Sequence, residues 1–126
     1  MDEPVSLDAV AESIAKQWTF LNNHAHVLIC LARRPDAVLR EVSQWVGITE
    51  RATQKIIKDL VDSQVLQRHR DGRRNRYRIN YEQPLRHPLE RQHSVGNLLA
   101  MFLTSEEMAR NDEGGKVLLF PERLAE

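Results

Sequence analysis

At Gln64 the apolar pattern of this chain changes period, from helical to alternating, and that switch limits the fold more than any other feature. Upstream runs LREVSQWVGITERATQKIIKDLVDSQVL. Leu39, Val42 and Val46 place one apolar stripe on a short helix, and Gly47 follows, the residue that most easily takes the positive φ of a tight turn. Thr49 offers a hydroxyl to cap a second helix. In that helix Ala52, Ile56 and Leu60 face inward at i, i+4, i+8 with Ile57 and Val61 alongside, which leaves Arg51, Gln54, Lys55 and Lys58 toward solvent. The first helix has Val38 where Ser or Thr would cap it, so Ala37-Val38 is read as a short strand instead. Downstream, Val65-Leu66-Gln67-Arg68-His69-Arg70 alternates into Asp71-Gly72, a two-residue hairpin signal. The return strand is Arg76 to Tyr81, with Tyr77, Ile79 and Tyr81 on one face and Arg76 and Arg78 on the other. The tip, Gly72-Arg73-Arg74-Asn75, is short and cationic.

The flanks read as helices. Leu7, Val10, Ile14 and Trp18 recur at helical spacing behind a Ser6 cap. Phe20, His24, Val27, Leu28 and Leu31 mark the next helix, capped by Asn22 or Asn23 and ended at Arg34-Pro35, because proline disfavours helical geometry in the residue before it. After Pro84 and Pro88, Leu89 to Met108 reads as a further helix carrying Leu98, Leu99, Phe102 and Leu103. Val117 to Phe120 is an apolar run without a partner. The expected organisation is an N-terminal amphipathic helix over 1–19, a central domain over 20–84, a C-terminal helix over 85–110 and a tail over 111–126. The fold class is mainly α with a small β-hairpin, α+β.

The chain has 126 residues and a formal net charge of +0. That neutrality hides a polarised distribution. From Arg51 to Arg78, nine basic residues against three acidic ones leave +6, and the remainder, nine against fifteen, holds −6. Phosphates respond to local charge, so the segment is a candidate for nucleic acid despite the neutral total.

The spacing Leu39-x-x-Val42-Ser43-x-x-Val46-Gly47-Ile48-Thr49-x-x-x-Thr53-x-x-Ile56-x-x-Leu60, followed by Val65-Leu66 and a basic hairpin, resembles winged helix-turn-helix regulators of the MarR-like and ArsR-like kind. The likeness covers roughly Phe20 to Tyr81, and the flanking helices carry no motif. Two positions depart from the pattern, Ser43 where Ala is common and Thr53 where an apolar residue is common. The resemblance implies a sequence-specific transcriptional regulator of double-stranded DNA, a homodimer and a candidate repressor, with helix 49–63 in the major groove and hairpin 65–81 as the wing. The expected contact set is Thr49, Arg51, Thr53, Gln54, Lys55, Lys58, Arg68, Arg70, Arg73 and Arg74. Arg51 and Gln54 have the paired donors and acceptors that read guanine and adenine edges. Lys55, Lys58 and the hairpin arginines suit phosphates, while Asn75 and Arg76 are expected to lie too near the strand. Val10, Ile14, Leu98, Leu99 and Phe102 are expected to build the dimer seam, since helices flanking so small a domain have little else to pack on.

Other readings carry less. His24, His26, His69, His87 and His93 with Cys30 raise a metal site, but His87 and His93 would lie about 240° apart on an ideal helix and Cys30 has no second thiol. A core thiol and ordinary polar histidines are expected instead, with neither metal nor cofactor. No Ser/His/Asp spacing, phosphate-cradling glycine loop or HExxH motif appears, so an enzyme is not expected. An acidic N-terminus unlike a signal peptide and the lack of an apolar run of ~18 residues place the protein in the cytoplasm with no membrane partner. An unidentified small-molecule effector is left open. The alternative function is a winged-helix interaction module whose basic hairpin meets an acidic protein partner.

Overall fold

The computed structural model describes residues 17–109, and these form an α+β fold with a two-stranded antiparallel hairpin. The expected stripe of Leu7, Val10 and Ile14 with its Ser6 cap, and the tail with Val117–Phe120, lie outside the described residues. Trp18 and Phe20 precede the first described helix and belong to no helical stripe; they are 77% and 91% exposed, with their rings edge to face at 4.9 Å.

Helix α1 spans Asn23–Arg33. The Asn22 side chain accepts the Ala25 N–H at 3.0 Å, one of the orphan donors a helix start must satisfy. The helix stops before Pro35, as the restriction on the pre-proline residue requires, and it buries Val27, Leu28, Leu31 and Ala32. Helix α2 spans Leu39–Val46. Its cap comes from the other direction: Val38 has no side-chain acceptor, and Glu41 Oε1 reaches back to accept the Val38 N–H at 3.2 Å. Val38 is extended backbone, but neither Ala37 nor Val38 belongs to a strand, which corrects the expected short strand. The Tyr77 N–H bonds to the Pro35 carbonyl at 3.3 Å and ties this loop to the hairpin.

Gly47 takes φ 87° and turns the chain from α2 into helix α3, Glu50–Asp62. Thr49 caps α3 by accepting the Ala52 N–H at 3.0 Å. The exit from α3 is where the period changes. Gln64 adopts φ 67°, the Gln64 N–H bonds to Val61 O at 3.0 Å, and the Val65 N–H bonds to Leu60 O at 2.9 Å. Those two bonds and the left-handed residue between helix and strand form a Schellman closure, a place glycine usually fills.

Strand β1, Leu66–Asp71, pairs with β2, Arg74–Ile79, from Leu66↔Ile79 to Asp71↔Arg74. The loop is therefore the two residues Gly72-Arg73. Arg74 and Asn75 belong to β2, where the sequence pattern had them in the tip. Gly72 has φ 71° and Arg73 an ordinary negative one, the combination that a glycine-first two-residue turn needs. Because the register is even, Leu66 and Ile79 enter the core together, and Arg68 lies opposite Tyr77 on the same face with its guanidinium 5.9 Å from the ring.

Past the hairpin the expected helix from Leu89 to Met108 is replaced by three pieces. Residues 83–95 make a loop closed at its base by Val95 N–H to Gln83 O at 2.8 Å and Leu85 N–H to His93 O at 3.0 Å. Helix α4, Val95–Ala100, starts at Ser94, which exchanges hydrogen bonds with Asn97. Thr104 and Glu107 make a second reciprocal cap ahead of helical residues 105–109. Caps inside an apolar run end one helix and begin another. Val95, Leu99 and Leu103 complete the same core that Leu31, Val42, Ile56, Leu60 and Leu66 build.

Candidate nucleic-acid interface

The surface of interest is the outer side of α3 and the neighbouring hairpin. On α3, Arg51, Gln54, Lys55 and Lys58 are exposed, as their spacing opposite Ile56 and Leu60 requires. Thr49 is exposed, but its hydroxyl is engaged as the cap. Thr53 is removed from the contact set: it is 0% exposed, and its hydroxyl donates to Thr49 O at 2.9 Å. Ser43, the other departure from the pattern, is also buried and donates to Arg40 O at 2.9 Å. Each polar group enters the core with its donor satisfied by its own helix, so neither leaves an unmet hydrogen bond.

Arg68, Arg70, Arg73, Asn75 and Arg76 on the hairpin are exposed, and Arg73 occupies the apex. Arg74 pairs in register with Asp71 at the end of the ladder. Between hairpin and helix lies an open cleft of about 690 Å³. Ala37, Val38, Leu39, Ile57, Val61 and Tyr77 give it an apolar floor, and Gln54, Lys58, Asp62, Arg68, Arg73 and Asn75 stand around it. The cleft exists because the even register turns Arg68 and Tyr77 toward α3 while the Pro35 carbonyl holds β2 beside the loop leading to α2.

Charge is divided unevenly over this surface. Helix α3 carries Arg51, Lys55 and Lys58 against Glu50, Asp59 and Asp62, three against three, so it is neutral as a unit. From Leu66 to Ile79 six arginines face one aspartate, which leaves +5. Most of the positive segment read from sequence is thus hairpin. The lysines of α3 are moreover paired. Lys58 Nζ lies 2.8 Å from Asp62 Oδ2 and Lys55 Nζ 3.9 Å from Asp59 Oδ2. Asp59 also receives His24 Nε2 at 2.9 Å from α1, and this hydrogen bond is the main reason its carboxyl titrates below the usual range. The hydrogen bond from Lys58 to Asp62 raises the lysine in turn. The sequence pattern singles out the lysines without their partners, although Asp59 and Asp62 stand at i+4 from Lys55 and Lys58, the spacing at which helix side chains meet.

The expected dimer residues fare differently. Val10 and Ile14 lie outside the described residues. Leu99 is 0% exposed inside the core, so it cannot form a seam, and Leu98 and Phe102 are half-buried. The Phe102 carbonyl accepts from Arg33 Nη2 at 3.0 Å, which fastens the C-terminal segment to the end of α1. Exposed Leu89 and Met101 are further apolar surface. As for metal ligands, His24 is engaged by Asp59 and His87 Nδ1 accepts the Leu89 N–H at 3.0 Å. Among the described residues no three His, Cys, Asp or Glu side chains come together as a metal ion would need. No helix among them is long and apolar enough to cross a membrane. The chain matches no protein-family model, no curated protein and no solved structure.

Proposed function

We propose that this chain is a winged-helix protein that binds double-stranded DNA and regulates transcription, acting as a homodimer of the MarR-like or ArsR-like kind. The observation that carries the reading is the hairpin: net +5 over Leu66–Ile79, closed by a two-residue turn, beside a helix that presents Arg51 and Gln54 to solvent. In this reading α3 enters the major groove, where Arg51 and Gln54 read base edges. Arg68, Arg70 and Arg73 on the wing fix the register through phosphates and make affinity steeply salt-dependent. Exposed Trp18, Phe20, Leu89 and Met101 are the apolar surface available to a two-fold contact now that Leu99 belongs to the core.

The charge balance of α3 favours one other reading, a winged-helix interaction module. A neutral helix face suits a protein surface at least as well as a groove lined with phosphates, and the +5 hairpin would then meet an acidic partner. One titration separates the two. Under the DNA reading, duplex binds at low salt and weakens steeply as salt rises. Arg73→Ala then lowers affinity for every sequence alike, whereas Arg51→Ala costs roughly 1–3 kcal/mol of discrimination at one base position. Absence of duplex binding at micromolar concentration and low salt rejects the DNA reading in favour of the module.

A further inference from the structure

Two carboxylates stand in the last turns of α3, Asp59 and Asp62, with no basic residue in the final turn. Helix stability does not explain them there. The C-terminal end of a helix carries partial negative charge, which disfavours an acid. Lys before Asp at i, i+4 is also the weaker order for a helical ion pair. Both nevertheless take lysines that would otherwise be open to a phosphate: Asp62 holds Lys58 at 2.8 Å and Asp59 stands 3.9 Å from Lys55. Asp59 is fixed further by His24 of α1, whereas among the described residues Asp62 is held by Lys58.

Resting on the DNA reading above, we infer that Asp62 is a specificity-determining residue that withholds Lys58 from the phosphate backbone. Affinity for arbitrary duplex comes almost wholly from cation–phosphate contacts. A groove helix with free lysines would adhere to any sequence. With Lys58 held by Asp62, and Lys55 drawn toward Asp59, α3 gains from DNA mainly where Arg51 and Gln54 find their bases. General phosphate affinity is left to the hairpin. The pair is 72% and 61% exposed, so it competes with phosphates in open solvent and needs no change of fold to be released.

The test uses the full chain and a short duplex of random sequence, titrated at several salt concentrations. Asp62→Asn keeps shape and removes the charge at an exposed site, and an unchanged thermal midpoint verifies its fold. The variant is expected to bind random duplex about three- to tenfold more tightly. Its plot of log affinity against log salt should steepen by about 0.9, one phosphate contact. Lys58→Ala should cost less affinity in the wild-type background than in Asp62→Asn, a coupling that simple removal of negative charge would not produce. The inference is overturned if Asp62→Asn binds no tighter, or if Lys58→Ala costs as much with Asp62 present as without it. Failure of the wild-type chain to bind any duplex at low salt rejects the DNA reading itself and this inference with it.

Discussion

Cys30 lies on α1 against the core, and burial pushes its thiol from the ordinary 9.0 up to about 11, partly opposed by the nearby Arg33 charge. At neutral pH the group is a protonated, poorly nucleophilic thiol. The shift links to stability with a definite sign. The native state disfavours the thiolate that the unfolded chain forms freely above pH 9, so the thiol's contribution is intact below that pH and lost as pH rises toward 11. The expected loss is about 2 kcal/mol by pH 11. Urea unfolding at pH 8 and at pH 10.5 should show it, and Cys30→Ala should flatten that part of the profile. An equally steep fall in the variant would assign the effect to other groups.

Among the elements, the exit from α3 governs where the hairpin begins. Gln64 holds a left-handed conformation at φ 67° that costs an L-residue roughly 1 kcal/mol and glycine little. Gln64→Gly should therefore raise the urea midpoint, by a stability gain of about 0.5–1 kcal/mol with the slope unchanged. A lower midpoint would mean that the Gln64 side chain contributes more than its backbone costs. This turn also indicates what the sequence makes legible. The three helices around Gly47, the caps Asn22 and Thr49, and the hairpin all follow from period and turn chemistry, since each is set by neighbours a few residues away. The Schellman closure was hidden because Gln stands where Gly would announce it. The break between α4 and residues 105–109 was signalled by Ser94-x-x-Asn97 and Thr104-x-x-Glu107, but the apolar run of Leu98, Leu99, Phe102 and Leu103 outweighed those caps in a reading by period. Of the candidate site, the exposed cations could be read directly. Burial of Thr53 and the hold of Asp62 on Lys58 depend on rotamer and packing, which periodicity does not report.

At the scale of the molecule, the C-terminal segment is part of the core. Leu99 is fully enclosed, and it joins Val95 and Leu103 in the cluster built by α1, α2, α3 and the hairpin base. Leu99→Ala should cost roughly 2–5 kcal/mol of stability, the range for truncating a buried leucine. It should leave the sedimentation mass of the folded chain unchanged. A variant that keeps its stability and loses self-association would restore Leu99 to a subunit seam. Arg33 strengthens the tie by donating to the Phe102 carbonyl and lying 3.9 Å from Glu107, so the end of α1 and the last described helical turn are held together.

That tie has a consequence for the order in which the chain is made. A ribosome that has released residues only as far as Pro84 has delivered α1, α2, α3 and both strands, the whole surface proposed to meet DNA. The nascent domain at that point still lacks Val95, Leu99 and Leu103, and the faces those residues cover remain open to water or to a chaperone. The cationic hairpin is thus complete several seconds or less before the core that anchors it, at roughly 5–20 residues per second.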